Sequence, residues 1–156
     1  MFEERKILEP ELIENEEYIH EDSLRPKNFG EFVGQKNIVK NVEIMVESSK
    51  LRNVAADHML LSGPPGLGKT SLAHLIAKEI GSTLHVISGP AIEKKGELAA
   101  ILTNIQPKDV LFIDEIHRMH ISIEEILYSA MEDYRLDLVI GQGPSARTMQ
   151  IDISPF

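Results

Sequence analysis

Two short stretches carry the residue types best suited to chemistry. Gly63-Pro64-Pro65-Gly66-Leu67-Gly68-Lys69-Thr70 fits G-x-x-x-x-G-K-[ST] at every fixed position. Its glycines let a backbone take positive φ and approach phosphate oxygens with no Cβ in the way. Consecutive N–H groups can then converge on one anion, and a following helix adds its positive end. Lys69 is a mobile point charge for β- and γ-phosphates, and the Thr70 hydroxyl suits magnesium. The bland alternative is a glycine-rich turn that binds nothing. Forty-four residues after Thr70, the run Val110-Leu111-Phe112-Ile113 ends in Asp114-Glu115. Open α/β sheets bind ligands at the C-terminal ends of their strands. Asp114 there would hold magnesium, through water, and Glu115 would orient and polarise an attacking water. Together the stretches point to ATP with Mg2+. Paired acids taken alone are often just a solvated loop.

The elements around these residues follow from hydrophobic period. Lys36 to about Leu51 predicts a helix with Ile38, Val42 and Met45 at helical spacing. His58-Met59-Leu60-Leu61-Ser62 reads as a buried strand leading into the glycines. Ser71 to Ile80 reads as a helix with Leu72, Leu75 and Ile76 inward and Gly81 as its stop. Leu84–Ile87 and Val110–Ile113 read as further strands, with a helical stretch from Gly96 to Asn104 between them. Ser122-Ile123-Glu124-Glu125 is a capping-box pattern that opens a helix with Ile123, Ile126, Leu127, Ala130 and Met131 on its apolar face. The period then drops to two. Leu136, Leu138 and Ile140 alternate, as do Met149, Ile151 and Ile153, with Gly141-Gln142-Gly143-Pro144 between: a β-hairpin with a longer loop. Such a hairpin either exposes apolar residues to a partner or folds onto its own domain. Alternating strands and helices predict an α/β fold with a parallel sheet covered on both faces.

Composition narrows the setting. The 156 residues suffice for one domain with a core, and 42% apolar with 26% charged residues is ordinary for a soluble protein. No apolar run is long enough for a membrane span and no secretory signal is evident, so no membrane partner and a cytoplasmic location are expected. The absence of cysteine excludes disulfides and thiolate metal sites. His117 and His120 lack a third clear ligand and read as ordinary histidines. Of the net charge of −9, residues 1–24 carry −7. Residues 1–23 therefore read as an acidic, solvated tail that disfavours a phosphate backbone, with the domain beginning at Leu24-Arg25-Pro26.

Further segments carry a resemblance. Leu24-Arg25-Pro26, Phe32-Val33-Gly34-Gln35, Asp57-His58, Ser88-Gly89-Pro90-Ala91-Ile92-Glu93-Lys94, Leu98–Leu102, Leu111–Arg118, Met131-Glu132-Asp133-Tyr134 and Leu138–Thr148 stand in the order and spacing of the RuvB family. These are AAA+ ATPases that drive Holliday-junction branch migration. The resemblance covers about Leu24 to Phe156, and the hairpin and the Ser-Gly-Pro-Ala-Ile-Glu-Lys segment are more specific than the P-loop. It implies a P-loop NTPase (AAA+) large domain, incomplete at the C-terminus, with a protruding β-hairpin. It implies nucleotide contacts at Leu24 and Arg25, phosphate contacts at Gly66, Lys69, Thr70 and Ser71, and a further nucleotide stretch at Glu132, Asp133 and Tyr134. The hairpin Leu136–Ile153 resembles the element that docks onto RuvA, the junction-binding partner. Ser129 stands where the family commonly has proline. Beyond Phe156 the family continues into another core strand, sensor residues, an arginine finger, a helical lid and a winged-helix domain that holds junction DNA. The resemblance therefore implies a homo-hexameric motor for recombination and repair when intact. The chain alone is expected to bind Mg-ATP and hydrolyse it slowly. Alternatives are a non-enzymatic nucleotide- or RuvA-binding fragment, or another AAA+ ATPase such as a clamp loader.

Overall fold

The computed structural model describes residues 25–141, 143 and 146–156. The acidic tail and the Leu24 contact lie outside them. Among the described residues, four helices and four strands follow in order: α1 (Lys36–Arg52), α2 (Lys69–Ile80), β1 (Leu84–Ser88), α3 (Lys95–Asn104), β2 (Val110–Asp114), α4 (Ile121–Asp133), β3 (Arg135–Ile140) and β4 (Arg147–Asp152). Short 3-10 turns occupy Phe29–Glu31, Gly89–Ala91 and Ile116–Arg118.

β1 and β2 pair in parallel, with Leu84 opposite Val110 and Ser88 opposite Asp114. Two apolar clusters flank them, as the alternating pattern predicts. On one side α1 and α2 meet through Val39, Val42, Val46, Leu72, Leu75 and Ile76, with Val110 packed against them. On the other, α3 and α4 meet through Leu98, Leu102, Ile123 and Leu127, with Ile87, Leu111 and Ile113 against them. β3 and β4 form the antiparallel hairpin, Arg135 opposite Asp152 and Ile140 opposite Arg147. Its base is tied to the core by the buried Leu136 and Ile153.

Three expectations are corrected. His58–Ser62 forms no strand ladder. Met59 and Leu61 do pack on the α1–α2 cluster, but Leu60 is 78% exposed. An apolar run secures burial on one side, whereas a strand also needs a hydrogen-bonding neighbour, and none lies beside this segment among the described residues. Second, α1 buries Val39, Val42, Val46 and Ser49, while Ile38 faces outward. Third, α4 begins at Ile121, one residue before the expected box. His120 is its N-cap and accepts from the Ser122 N–H.

Candidate functional site

The glycine-rich loop bends as its composition demands. Gly63, Gly66 and Gly68 have φ of 150°, 83° and 80°. Gly68 is constrained twice over, since a Cβ there would sit 2.9 Å from Phe32 Cζ. α2 starts directly after it, and its ladder opens with the Leu72 N–H donating to the Gly68 carbonyl at 2.8 Å. The N–H groups of the first turn have no carbonyl one turn back to bond, so they are donors available to an anion. Lys69 Nζ donates to the carbonyls of Gly63 and Pro64, both at 2.9 Å. The loop thus satisfies its own cation with weakly held neutral acceptors, which a phosphate would outcompete.

Asp114 closes β2, and Glu115 turns the chain away from it in the left-handed region at φ 51°. The Glu115 N–H donates to Asp114 Oδ1 at 2.9 Å. Arg118 Nη1 donates to Glu115 Oε2 at 3.0 Å. Behind the corner lies Gly89, where a Cβ would meet the Glu115 carbonyl oxygen at 2.7 Å.

A cavity of about 1000 Å³ joins the two halves. Gly63, Gly66, Gly68, Lys69, Thr70 and Ser71 line it together with Asp114 and Glu115. Met59, Leu61, Leu111, Ile113, Leu127 and Phe156 supply apolar walls. Phosphate donors, a cation, a hydroxyl and two carboxylates thus share one space. That set fits a magnesium nucleotide: the amides and Lys69 suit the phosphates, Thr70 and Asp114 suit the metal.

Other expected site residues are placed differently. Leu67 is in the loop, 43% exposed, and is not part of the cavity wall. Arg25 reaches α2, its Nη1 lying 2.7 Å from His74 Nε2. Glu132, Asp133 and Tyr134 sit at the C-terminal end of α4 and are not part of the wall, although Met131 is. Tyr134 packs edge-on against Phe156, with ring centroids 6.4 Å apart. Sequence reasoning passed over Arg118 and Gly89 as individual residues. An Arg three positions after an acid was the available signal for the first; nothing local marks the second.

Behind the site, Asp109 is buried just before β2. It accepts from the N–H groups of Thr83 and Gln106 at 3.0 and 3.1 Å and lies 2.9 Å from His85 Nε2. Burial alone would raise its pKa, but the hydrogen bonds with His85, Gln106 and Thr83 outweigh that and hold it below the ordinary carboxylate value.

Comparisons with known proteins converge. The family model described as the Holliday junction DNA helicase RuvB P-loop domain matches residues 24–156. The Holliday junction branch migration complex subunit RuvB of Kosmotoga olearia is 55% identical over 153 residues, covering 98% of this chain and 44% of that protein. The Myxococcus xanthus subunit is 58% identical over 136 residues, covering 87% and 40%. Among solved structures, a mutant of Thermotoga maritima RuvB superimposes with a TM-score of 0.75 at 50% identity, covering 85% of this chain and 40% of that one. The Thermotoga maritima RuvB Holliday junction branch migration motor gives 0.69 at 55% identity, covering 71% and 37%. The chain spans less than half the length of these relatives.

Proposed function

The chain belongs to the family of Holliday junction DNA helicase RuvB P-loop domains, and from that premise we propose that it is a Mg-ATP-binding ATPase domain of a Holliday-junction branch-migration motor. The observation that carries the reading is the single cavity shared by the Gly63–Ser71 loop and the Asp114–Glu115 corner. In it, Lys69 exchanges the carbonyls of Gly63 and Pro64 for the β- and γ-phosphates. The first-turn amides of α2 hold the phosphate oxygens. Thr70 and Asp114 hold magnesium, which, when bound, offsets charge on the phosphates. Glu115 accepts a hydrogen bond from the attacking water and draws its proton. Arg25, Leu67 and Glu132–Tyr134 are not in the cavity wall and Leu24 precedes the described residues, so nucleotide contacts at these positions rest on the family resemblance alone, as does assembly of the motor as a homo-hexamer.

Calorimetric titration with a slowly hydrolysed ATP analogue tests this. Micromolar binding that needs magnesium and weakens at least about tenfold in Lys69→Ala is expected, since one charge-assisted hydrogen bond is typically worth ~1.5–3 kcal/mol. Equal affinity in the mutant of a folded chain would remove Lys69 from the phosphate site.

A second activity is favoured by the hairpin. Val139, Ile140 and Met149 are 70%, 52% and 44% exposed near its tip. Ile140 and Met149 share one face of the hairpin, with Val139 on the other, and that exposed apolar face suits docking onto a RuvA-like junction-binding partner.

A further inference from the structure

Glu115 is held more firmly than a residue at the end of a strand requires. A non-glycine residue at φ 51° is uncommon and needs supporting contacts. Here the Glu115 N–H is tied to Asp114 Oδ1 at 2.9 Å and its carbonyl accepts from the Arg118 N–H, also at 2.9 Å. The 3-10 turn Ile116–Arg118 brings the same arginine round, so that its guanidinium grips the carboxylate at 3.0 Å. Arg118 therefore holds both ends of one residue. Gly89 makes the close approach at the back of the corner possible, because any Cβ there would meet the Glu115 carbonyl oxygen at 2.7 Å. The two partners differ in where they stand. Glu115 lines the cavity and Arg118 does not. The ion pair thus ties the carboxylate of a cavity-lining residue to a guanidinium that is not part of the cavity wall. A carboxylate engaged this way offers fewer lone pairs to an attacking water.

We propose that Arg118 is a positioning residue that restrains Glu115 in the resting chain and so acts as a brake on hydrolysis; this rests on the ATPase reading above. The size of the brake follows from exposure. The side chains are 59% and 46% exposed, and pairs this open are worth at most about a fivefold bias, which salt erodes. The restraint is therefore reversible: anything that competes for the Arg118 guanidinium, or draws the carboxylate inward, releases it.

The test is steady-state ATP turnover by the chain at saturating Mg-ATP. Arg118→Ala is expected to raise kcat roughly two- to fivefold with KM unchanged. Arg118→Lys, which keeps the charge, should stay near wild type. Raising salt from about 0.05 to 0.5 M should speed wild type toward the alanine variant and leave that variant flat. Unchanged or slower turnover in Arg118→Ala, or a lysine variant as fast as alanine, overturns the brake. Glu115→Gln separates the two failures. If it abolishes turnover while Arg118→Ala brings no gain, only the brake fails. If it changes nothing, the ATPase role of Glu115 fails and takes the brake with it. Side-chain NMR of 15N-arginine decides where turnover is too slow to measure. A distinct Arg118 signal that collapses to a free-arginine position in Glu115→Gln supports the restraint, and a free-arginine signal in wild type refutes it.

Discussion

Asp109 shows how much one residue outside the cavity can contribute to the site. Through Thr83, Gln106 and His85 it ties the starts of β1 and β2, the strand that ends in Asp114. Its carboxylate is buried, so these bonds act with little competition from water. The exposed pairs Arg135–Asp152 and Lys50–Glu79 have no such advantage and should each contribute under about 1 kcal/mol. Asp109→Asn leaves at least one donor facing another donor, and a cost of about 2 kcal/mol is expected in urea unfolding at pH 7. The pH dependence has a definite sign. A folded pKa held below the unfolded value of about 3.9 means the stabilisation is complete above that pH and is lost as pH falls through the folded pKa. Wild type and Asp109→Asn should therefore converge as pH is taken below about 4. A gap that stays constant down to acid pH would show that the ionised carboxylate is not what the strands require.

At the level of elements, α1 separates what a sequence specifies from what packing decides. Ile38, Val39, Val42, Met45 and Val46 offer two overlapping apolar stripes, and either predicts the same helix. Only the docking of α2 selects the one through Val39, Val42 and Val46. Val46 is 1% exposed and Ile38 48%. Val46→Ala should cost about 2 kcal/mol and Ile38→Ala less than ~0.5, read from unfolding midpoints; similar costs would mean the face is misassigned. The same division holds elsewhere. The P-loop, the Asp114-Glu115 strand end and the hairpin were legible because each is coded by residues adjacent in sequence. That His58–Ser62 forms no ladder was not legible, because a strand depends on a neighbour that local pattern cannot supply. The His120 cap was missed because the Ser122 box is the commoner solution. Gly89 and Arg118 became visible only once a turn brought 115 and 118 together and a crossover laid 89 behind them.

Across the whole molecule the nucleotide cavity and the hairpin tip are served by different packing. The cavity lies against the parallel pair and both apolar clusters, whereas among the described residues the hairpin packs on the core through Leu136 and Ile153, both buried, with the partly buried Leu138 and Ile151 beside them. Along β3 exposure rises from Leu136 through the half-buried Leu138 to Ile140, so the stabilisation the strand gains falls toward the tip. Apolar side chains at the tip thus contribute little to folding and remain available to a partner. A charge at Ile140 is expected to leave the unfolding free energy within ~0.5 kcal/mol of wild type. Mg-ATP affinity should also be unchanged, while binding to a RuvA-like partner should drop at least about tenfold, as for loss of an apolar anchor. Leu136→Asp is the contrasting case: it buries a charge with no partner and should unfold the chain, at a cost of several kcal/mol. Binding assays on Ile140→Asp, with nucleotide titration as the control for folding, distinguish a docking surface from a hairpin that merely projects. Unchanged partner binding in a variant that still takes up Mg-ATP would remove the tip from the interface.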